Sequence, residues 1–255
     1  MENSAGLVAV KSAPLFSSSS VATFVGASVV TRPIDVLERP VGDCGNVMVL
    51  PIGKVSAPSP ESVSFFARRR AGIPSPADCV KFAITYLLKD SLPGLVFSGI
   101  NSGHNLGVAA VYSGTVAGAR EGALFGLPAV ALSVLERDEA AADYALAWTR
   151  ERLESGAFSR VKPGCVWNVN FPPSAMGAPK GLKVARMGLA MYEDGYSPSE
   201  MENRYTLSGG KPAGVHAPDT DDWAVEQGWI SLCPLQVDQT DDEELERLSA
   251  GAEAR

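Results

Sequence analysis

Hydrophobic positions change rhythm near residue 76, and from there the chain alternates between two periods. In "PADCVKFAITYLLKD" the apolar residues Val80, Ala83, Ile84, Leu87 and Leu88 recur at helical spacing and make one face, with Asp78 near the start to meet free N–H groups. "GLVFSG" is a short, continuously apolar run and predicts a buried strand. "TVAGAREGALFG" predicts a helix whose packing side is built of small residues and which closes at Gly126. "LPAVALSV" predicts a second buried strand. "RDEAAADYALAWTRERLESG" predicts a helix ending at Gly156, and "GCVWNVNFPP" a third strand stopped by prolines. Short apolar strands alternating with helices imply a largely parallel sheet covered by helices on both faces. In such a sheet the ligand site lies outside the carboxyl ends of the strands.

The flanks read differently. Residues 1–33 are Ser- and Val-rich and poor in acids ("SAPLFSSSSVATFVGASVVTRP"), the composition either of an organelle targeting segment or of a worn-down part of the fold. Residues 51–77 are proline-rich, carry Arg68, Arg69 and Arg70, and read as loop or linker. From Met187 to Pro218 the chain is polar and loop-rich, with "RYTLSGG" as one arm of a hairpin. "WAVEQGWISLCPLQVD" returns to strand character. "QTDDEELERLSAGAEAR" begins an acidic helix, with Thr240 as its N-cap and Glu243 three residues on.

Bulk composition narrows the function classes. With 45% hydrophobic and 20% charged residues the chain is ordinary for a soluble globular protein. A net charge of −7 argues against a partner that is a nucleic-acid polymer, because phosphate attraction on that scale needs a basic surface. No run of apolar residues approaches the roughly 18 needed for a membrane span. Cys44, Cys79, Cys165 and Cys233 form no CxxC pair and read as reduced thiols of an intracellular protein rather than a zinc site. The two histidines, His104 and His216, are too few for a His-rich metal centre.

Candidate chemistry gathers in one place. "SGINSGHNLG", Ser98 to Gly107, follows the first predicted strand with more Gly and Asn than a turn requires. Its Asn101 carries an amide oxygen suited to a hard cation. Just beyond, "YSGTV" offers Ser113, Gly114 and Thr115 at the start of a helix, where free N–H groups and hydroxyls form an anion site suited to phosphate. The plainer account of the same residues is a Ser113 N-cap and turn glycines. GxGxxG, GxxxxGK and GxSxG are all absent. His104 is either a general acid–base or a solvated loop residue. Asp221 and Asp222 are either metal ligands or a charged turn before a strand, and Tyr112 and Trp223 read as core or interface aromatics.

The stretch "SGINSGHNLGVAAVYSGTVAGAREGALFGLPAVALS" resembles the signature region of the SurE family of survival-protein phosphatases and nucleotidases. "PADCV", "VWNVNFP" and "DTDDWAVEQGWISLCPLQVDQT" are similar to further segments of that family, so the resemblance runs with gaps from about residue 75 to 240. It implies an α/β fold: a Rossmann-like three-layer sandwich with a C-terminal hairpin extension, assembled as a homodimer or homotetramer. It implies hydrolysis of nucleoside monophosphates or other phosphomonoesters with a divalent metal, Mg²⁺ or Mn²⁺. By position in the motifs, Asn101 and Ser19 are the metal ligands, and Ser113, Gly114, Thr115 and Asn105 hold the phosphate. The family's Asp-Asp loop, TNDDG, does not occur in this chain, so no catalytic carboxylate is assigned and the family's first strand is expected to be missing. The alternative is a catalytically inactive homologue that acts through phosphate binding or assembly.

The resulting organisation has four parts. Residues 1–33 are the degraded N-terminus or targeting segment, and 34–186 the Rossmann-like core with the phosphate and metal site. Residues 187–240 are the hairpin and returning strand, and 241–255 the acidic helix and tail. The expected location is the cytoplasm, or a plastid or other organelle if residues 1–33 are a transit peptide.

Overall fold

A computed structural model describes the strand segments 30–32, 46–51 and 62–66, and residues 75–253 except 91, 190–192, 194, 201–203 and 211–215. Ten strands and six α-helices are described, with a π-helical turn at Ala83–Leu87 and 3-10 turns at Ala157–Arg160 and Ser174–Met176. The strands are β1 (Val30–Arg32), β2 (Asn46–Pro51), β3 (Ser62–Phe66), β4 (Pro93–Ser102), β5 (Ala129–Val134), β6 (Cys165–Asn170), β7 (Leu182–Val184), β8 (Gly195–Pro198), β9 (Tyr205–Ser208) and β10 (Ile230–Gln236). The helices are α1 (Pro76–Phe82), α2 (Ala109–Tyr112), α3 (Gly114–Leu124), α4 (Glu139–Glu154), α5 (Asp221–Glu226) and α6 (Asp242–Glu253).

Eight strands form one sheet in the order β1-β3-β2-β4-β5-β6-β10-β7. The parallel part is β4, β5 and β6, joined by right-sized helical crossovers through α3 and α4. Antiparallel strands extend it on both sides: β2 on β4, and β10 on β6. β5 is buried along its whole length, as the middle strand of a covered sheet must be.

Local signals set the helix ends. Ser75 caps α1 with a capping box, its hydroxyl accepting from the Asp78 N–H at 3.3 Å while the Asp78 carboxylate accepts from the Ser75 N–H at 2.7 Å. Asp138 caps α4 by accepting from Ala141 at 3.0 Å, and Gly156 ends it in the left-handed region at φ 70°.

Helices cover the sheet on both faces. On one, Val96, Ala129, Ala131 and Val166 meet Val80 of α1, Ala83 and Ile84 of the π-helical turn Ala83–Leu87 that follows it, and Val116, Ala119 and Ala123 of α3. On the other, Phe97, Val130, Leu132, Val169, Phe171 and Ile230 meet Ala141, Ala145 and Trp148 of α4. Alternate strand residues therefore feed opposite cores, the period-2 rule acting in a three-layer sandwich.

Several expectations are corrected. The proline-rich stretch 51–77 is not all linker, because β3 pairs there with β2. The "WAVE" of the presumed returning strand belongs to helix α5, Gln227 and Gly228 form a turn, and only Ile230–Gln236 is strand. The cap of α6 is Asp241, whose carboxylate accepts from Glu244 at 3.0 Å, while the Thr240 hydroxyl turns back to Asp238 at 2.6 Å. Tyr112 is not a core aromatic, being 83% exposed. The predicted hairpin exists as β8–β9, a separate two-stranded sheet whose residues are exposed. Residues 1–29 lie outside the described residues, and Ser19 with them. Among the described residues no helix is long and apolar enough to cross a membrane, and Cys79, Cys165 and Cys233 are free thiols.

Small residues on α3 set its distance from the sheet. A Cβ built on Gly122 would lie 2.7 Å from Val96 Cγ2. Gly122→Ala should gain about 1 kcal/mol of helix propensity but lose more to overpacking against buried Val96. The expected net result is destabilisation of about 1–2 kcal/mol, read as a lower urea midpoint at unchanged slope.

Candidate phosphate site at the carboxyl edge of the sheet

The site begins with a change along one face of the sheet. Across β4, β5, β6 and β10 the register aligns Val96, Ala129, Val166 and Leu235 in an apolar row. Two residues on, the row is Ser98, Ala131, Asn168 and Cys233. At the carboxyl edge it is Asn101, Ser133, Asn170 and Ser231, four polar side chains abreast. Ser98, Ser133, Asn168, Asn170 and Ser231 are at most 1% exposed, so this polar floor is part of the interior. Buried polar groups carry a desolvation cost and persist where partners satisfy them.

For Ser133, Asn168 and Asn170 the partner is the loop above, while Ser98 Oγ, Ser231 Oγ and Asn168 Oδ1 have none among the described residues. One extra residue sits on β4 between Ser98 and Asn101, a bulge that re-aims the strand end. Gly99 makes it, with φ 126° and no room for a side chain: a Cβ there would lie 2.3 Å from the Leu132 carbonyl oxygen. Half-buried Asn101 follows, still paired within β4 rather than in a loop starting at Ser98 as the sequence suggested, its Nδ2 donating to the Gly103 carbonyl at 2.7 Å. That leaves the amide oxygen as its remaining acceptor. Gly103 donates to the Val134 carbonyl at 2.9 Å.

Asn105 anchors the loop to the floor. Its N–H donates to Asn170 Oδ1 at 2.8 Å, its Nδ2 to Ser133 Oγ at 2.7 Å, and its carbonyl accepts from Asn168 Nδ2 at 2.8 Å. His104 is half-buried, with Nε2 2.7 Å from the Phe171 carbonyl. A carbonyl only accepts, so Nε2 carries the proton and His104 pins the loop to the end of β6. It is not the solvated residue that the sequence also allowed. Nearby, burial pushes the Asp138 carboxyl up, but hydrogen bonds from Ser174 and Ala141 and the charge of His104 prevail and hold it below its usual value.

Past the loop, α2 leads to Ser113, whose hydroxyl accepts from the Val116 N–H at 3.1 Å and caps α3. Ser113 is half-buried, Gly114 exposed and Thr115 buried. The cap is therefore real, and it stands at the α3 N-terminus beside the loop.

Asp221 and Asp222 are not a solvated turn, for they open α5 at 0% and 2% exposure. Asp221 Oδ2 accepts from the Gly107 N–H at 3.0 Å, and Oδ1 from Gly188 at 2.9 Å and Asp222 at 3.0 Å. Burial raises the Asp221 carboxyl to about 6, with Asp222 adding to the rise and the Gly107 and Gly188 donors opposing it. His216 Nδ1 lies 3.3 Å from Asp222 Oδ2, and Nε2 3.0 Å from Glu226 Oε1. Burial, with the charges of Asp221, Cys165 and Asp222, pushes the Cys233 thiol up to about 12, which keeps it unreactive.

Sequence reading found the loop and the cap but missed the floor. Its signal was present in "VWNVNF": asparagines at alternate positions of an apolar strand put two amides on one face. Ser133 and Ser231 carried no comparable signal.

The profile of the family described as Survival protein SurE matches residues 45–194, which include β2, β4–β6, the loop and the cap. The chain belongs to the SurE family. It is 37% identical over 174 residues to the 5'-nucleotidase SurE of Vibrio cholerae serotype O1, covering 67% of this chain and 69% of that protein. It is 39% identical over 178 residues to the 5'-nucleotidase SurE of Pelotomaculum thermopropionicum, covering 68% and 67%. The crystal structure of the SurE protein from Aquifex aeolicus superposes with a TM-score of 0.57 at 32% identity, covering 69% of this chain and 72% of that one. The SurE-like α/β fold expected from the sequence is thus the fold of the described core. The alignments to these SurE relatives span about two thirds of their length, and among the described residues no group of three His, Cys, Asp or Glu side chains could hold a metal ion.

A raised folded pKa means that the native state keeps the Asp221 proton to a higher pH than the unfolded chain does, and is a carboxylate above about 6. Its stabilising contribution is fully present below 3.8 and is lost as pH rises through about 6. The stability advantage of the wild type over Asp221→Asn should therefore shrink as pH rises from about 4 to about 7, measured by urea unfolding of both proteins across that range.

Proposed function

We propose that this SurE-family chain acts on phosphomonoesters, nucleoside monophosphates foremost, as a metal-dependent phosphatase of the 5'-nucleotidase type. The observation that carries this reading is that the Asn101–Gly107 stretch at the carboxyl end of β4 is followed within a few residues by the Ser113-capped start of α3, within the segment that the family profile matches. The free N–H groups of the α3 terminus, Ser113 and Gly114 suit a phosphate, whose charge the helix dipole also favours. Asn105, expected to hold the phosphate itself, is buried and gives its N–H to Asn170 and its Nδ2 to Ser133, so in this reading it shapes the cradle from below.

Mg²⁺ or Mn²⁺ is the cofactor in this reading, with Asn101 and Ser19 as ligands. Ser19 lies outside the described residues, and Asn101 alone brings a neutral amide oxygen where hard divalent ions favour several oxygens with carboxylates among them. The described residues therefore do not fit a divalent cation by themselves, and no step of the reaction is routed through one. What the described residues do is bind and orient: the loop fixes Asn101, and the α3 terminus neutralises phosphate charge. Assembly as a homodimer or homotetramer through the β8–β9 hairpin belongs to the same reading, supported by Tyr196 at 75%, Tyr205 at 67% and Leu207 at 53% exposure.

A second reading, a homologue that binds phosphate without hydrolysing it, is favoured by the absence of TNDDG from the sequence and of a carboxylate cluster among the described residues. One assay separates the two: phosphate release from nucleoside monophosphates and p-nitrophenyl phosphate with Mn²⁺ or Mg²⁺, against EDTA. The expected outcome is metal-dependent turnover that EDTA abolishes and Asn101→Ala lowers by about 100-fold or more. Phosphate binding without release would establish the second reading.

Ser113→Ala removes a cap as well as a phosphate donor. It should cost about 1 kcal/mol of stability and raise KM for phosphomonoesters, with thermal unfolding and initial-rate kinetics as the checks.

A further inference from the structure

Asp221 has no role in the function proposed above, yet its carboxylate is among the most constrained groups in the molecule. It is fully buried. One oxygen accepts from Gly107, the last residue of the Asn101–Gly107 loop and 114 positions away in sequence. The other accepts from Gly188, which begins the chain's excursion toward the β8–β9 hairpin. Neighbouring contacts leave no slack. A Cβ on Gly107 would lie 2.7 Å from the Gly188 carbonyl oxygen and 2.9 Å from Asp222 Oδ1, and one on Gly188 2.9 Å from the same carboxyl group. Three segments thus meet at a single carboxylate: the loop's end, the hairpin's root and the first turn of α5.

We infer that Asp221 is a positioning residue that locks the end of the Asn101–Gly107 loop to the root of the hairpin, so that the geometry of the candidate phosphate site depends on where the hairpin root lies. The inference rests on the proposed function only for the word phosphate. The mechanical link between Gly107 and Gly188 stands on the hydrogen bonds alone. A carboxylate suits this task because both its oxygens accept and charge-assisted bonds to N–H groups are strong. An asparagine has one acceptor oxygen, and its NH₂ would face the second N–H group.

The test is two-dimensional ¹⁵N NMR of the full chain with titration of inorganic phosphate. In Asp221→Asn the Gly107 and Gly188 amide signals should both move and exchange with solvent faster, while core amides such as Val130 and Val169 stay in place. Phosphate affinity should fall about tenfold or more. Gly188→Ala leaves Asp221 intact but displaces the hairpin root. It should move the Gly107 amide and weaken phosphate binding in the same direction, and it provides the test if Asp221→Asn does not fold. Trp223→Phe, a change on the same short helix outside the clamp, should leave the Gly107 amide and phosphate affinity unaltered. The inference is overturned if Gly188→Ala leaves Gly107 unmoved, or if Trp223→Phe lowers phosphate affinity as much as the clamp variants. If the wild type binds no phosphate, the proposed function fails, and the joint response of Gly107 and Gly188 still decides the link.

Discussion

A loop set into the edge of a parallel sheet must find partners for its backbone polar groups, because water reaches only part of it. In this protein the partners are side chains. Asn168 and Asn170 serve the two sides of the Asn105 peptide, Ser133 takes its side chain, and Asp221 takes the Gly107 N–H. Across β4, β5, β6 and β10 the apolar face gives way to polar residues toward its carboxyl edge, beneath this loop. Asn105, Ser133, Asn168 and Asn170 are therefore one hydrogen-bonded unit of loop and floor, and truncating one of the four would leave others buried without partners.

That unit needs a rigid mount. It is supplied by β5, buried on both faces, and by α3, which lies close to β4 because Gly118 and Gly122 present no side chains there. The same close approach fixes the α3 N-terminus beside the loop, so the packing that stabilises the sandwich also places the Ser113 cap. Fold and site share their constraints, as expected where a functional loop is carried on a stiff scaffold.

The third support comes from far along the chain. α5 buries Ala224 and Val225, and its first residue ties together the loop and the hairpin root. Such a contact turns a peripheral extension into part of the site's geometry, since a carboxylate held by two N–H groups transmits displacement from one to the other.

Much of this was legible from the residues alone. Apolar periodicity located α1, α3, α4 and strands β4, β5 and β6, because helices and buried strands need their characteristic spacing of apolar groups wherever they occur. The density of Gly and Asn after "GLVF" marked the loop, and Ser-Gly-Thr marked a helix start, since caps and tight backbone turns depend on near neighbours in sequence. Long-range pairing was not legible. β3 hid in a proline-rich stretch because its identity comes from pairing with β1 on one side and β2 on the other, which local sequence does not show. α5 was masked by the β-like residues Trp223 and Val225. The buried state of Asp221 could not be read from a pair of acids that resembles a surface turn. Its burial depends on Gly107 and Gly188 arriving from elsewhere with N–H groups to offer, and only the tertiary structure brings them together.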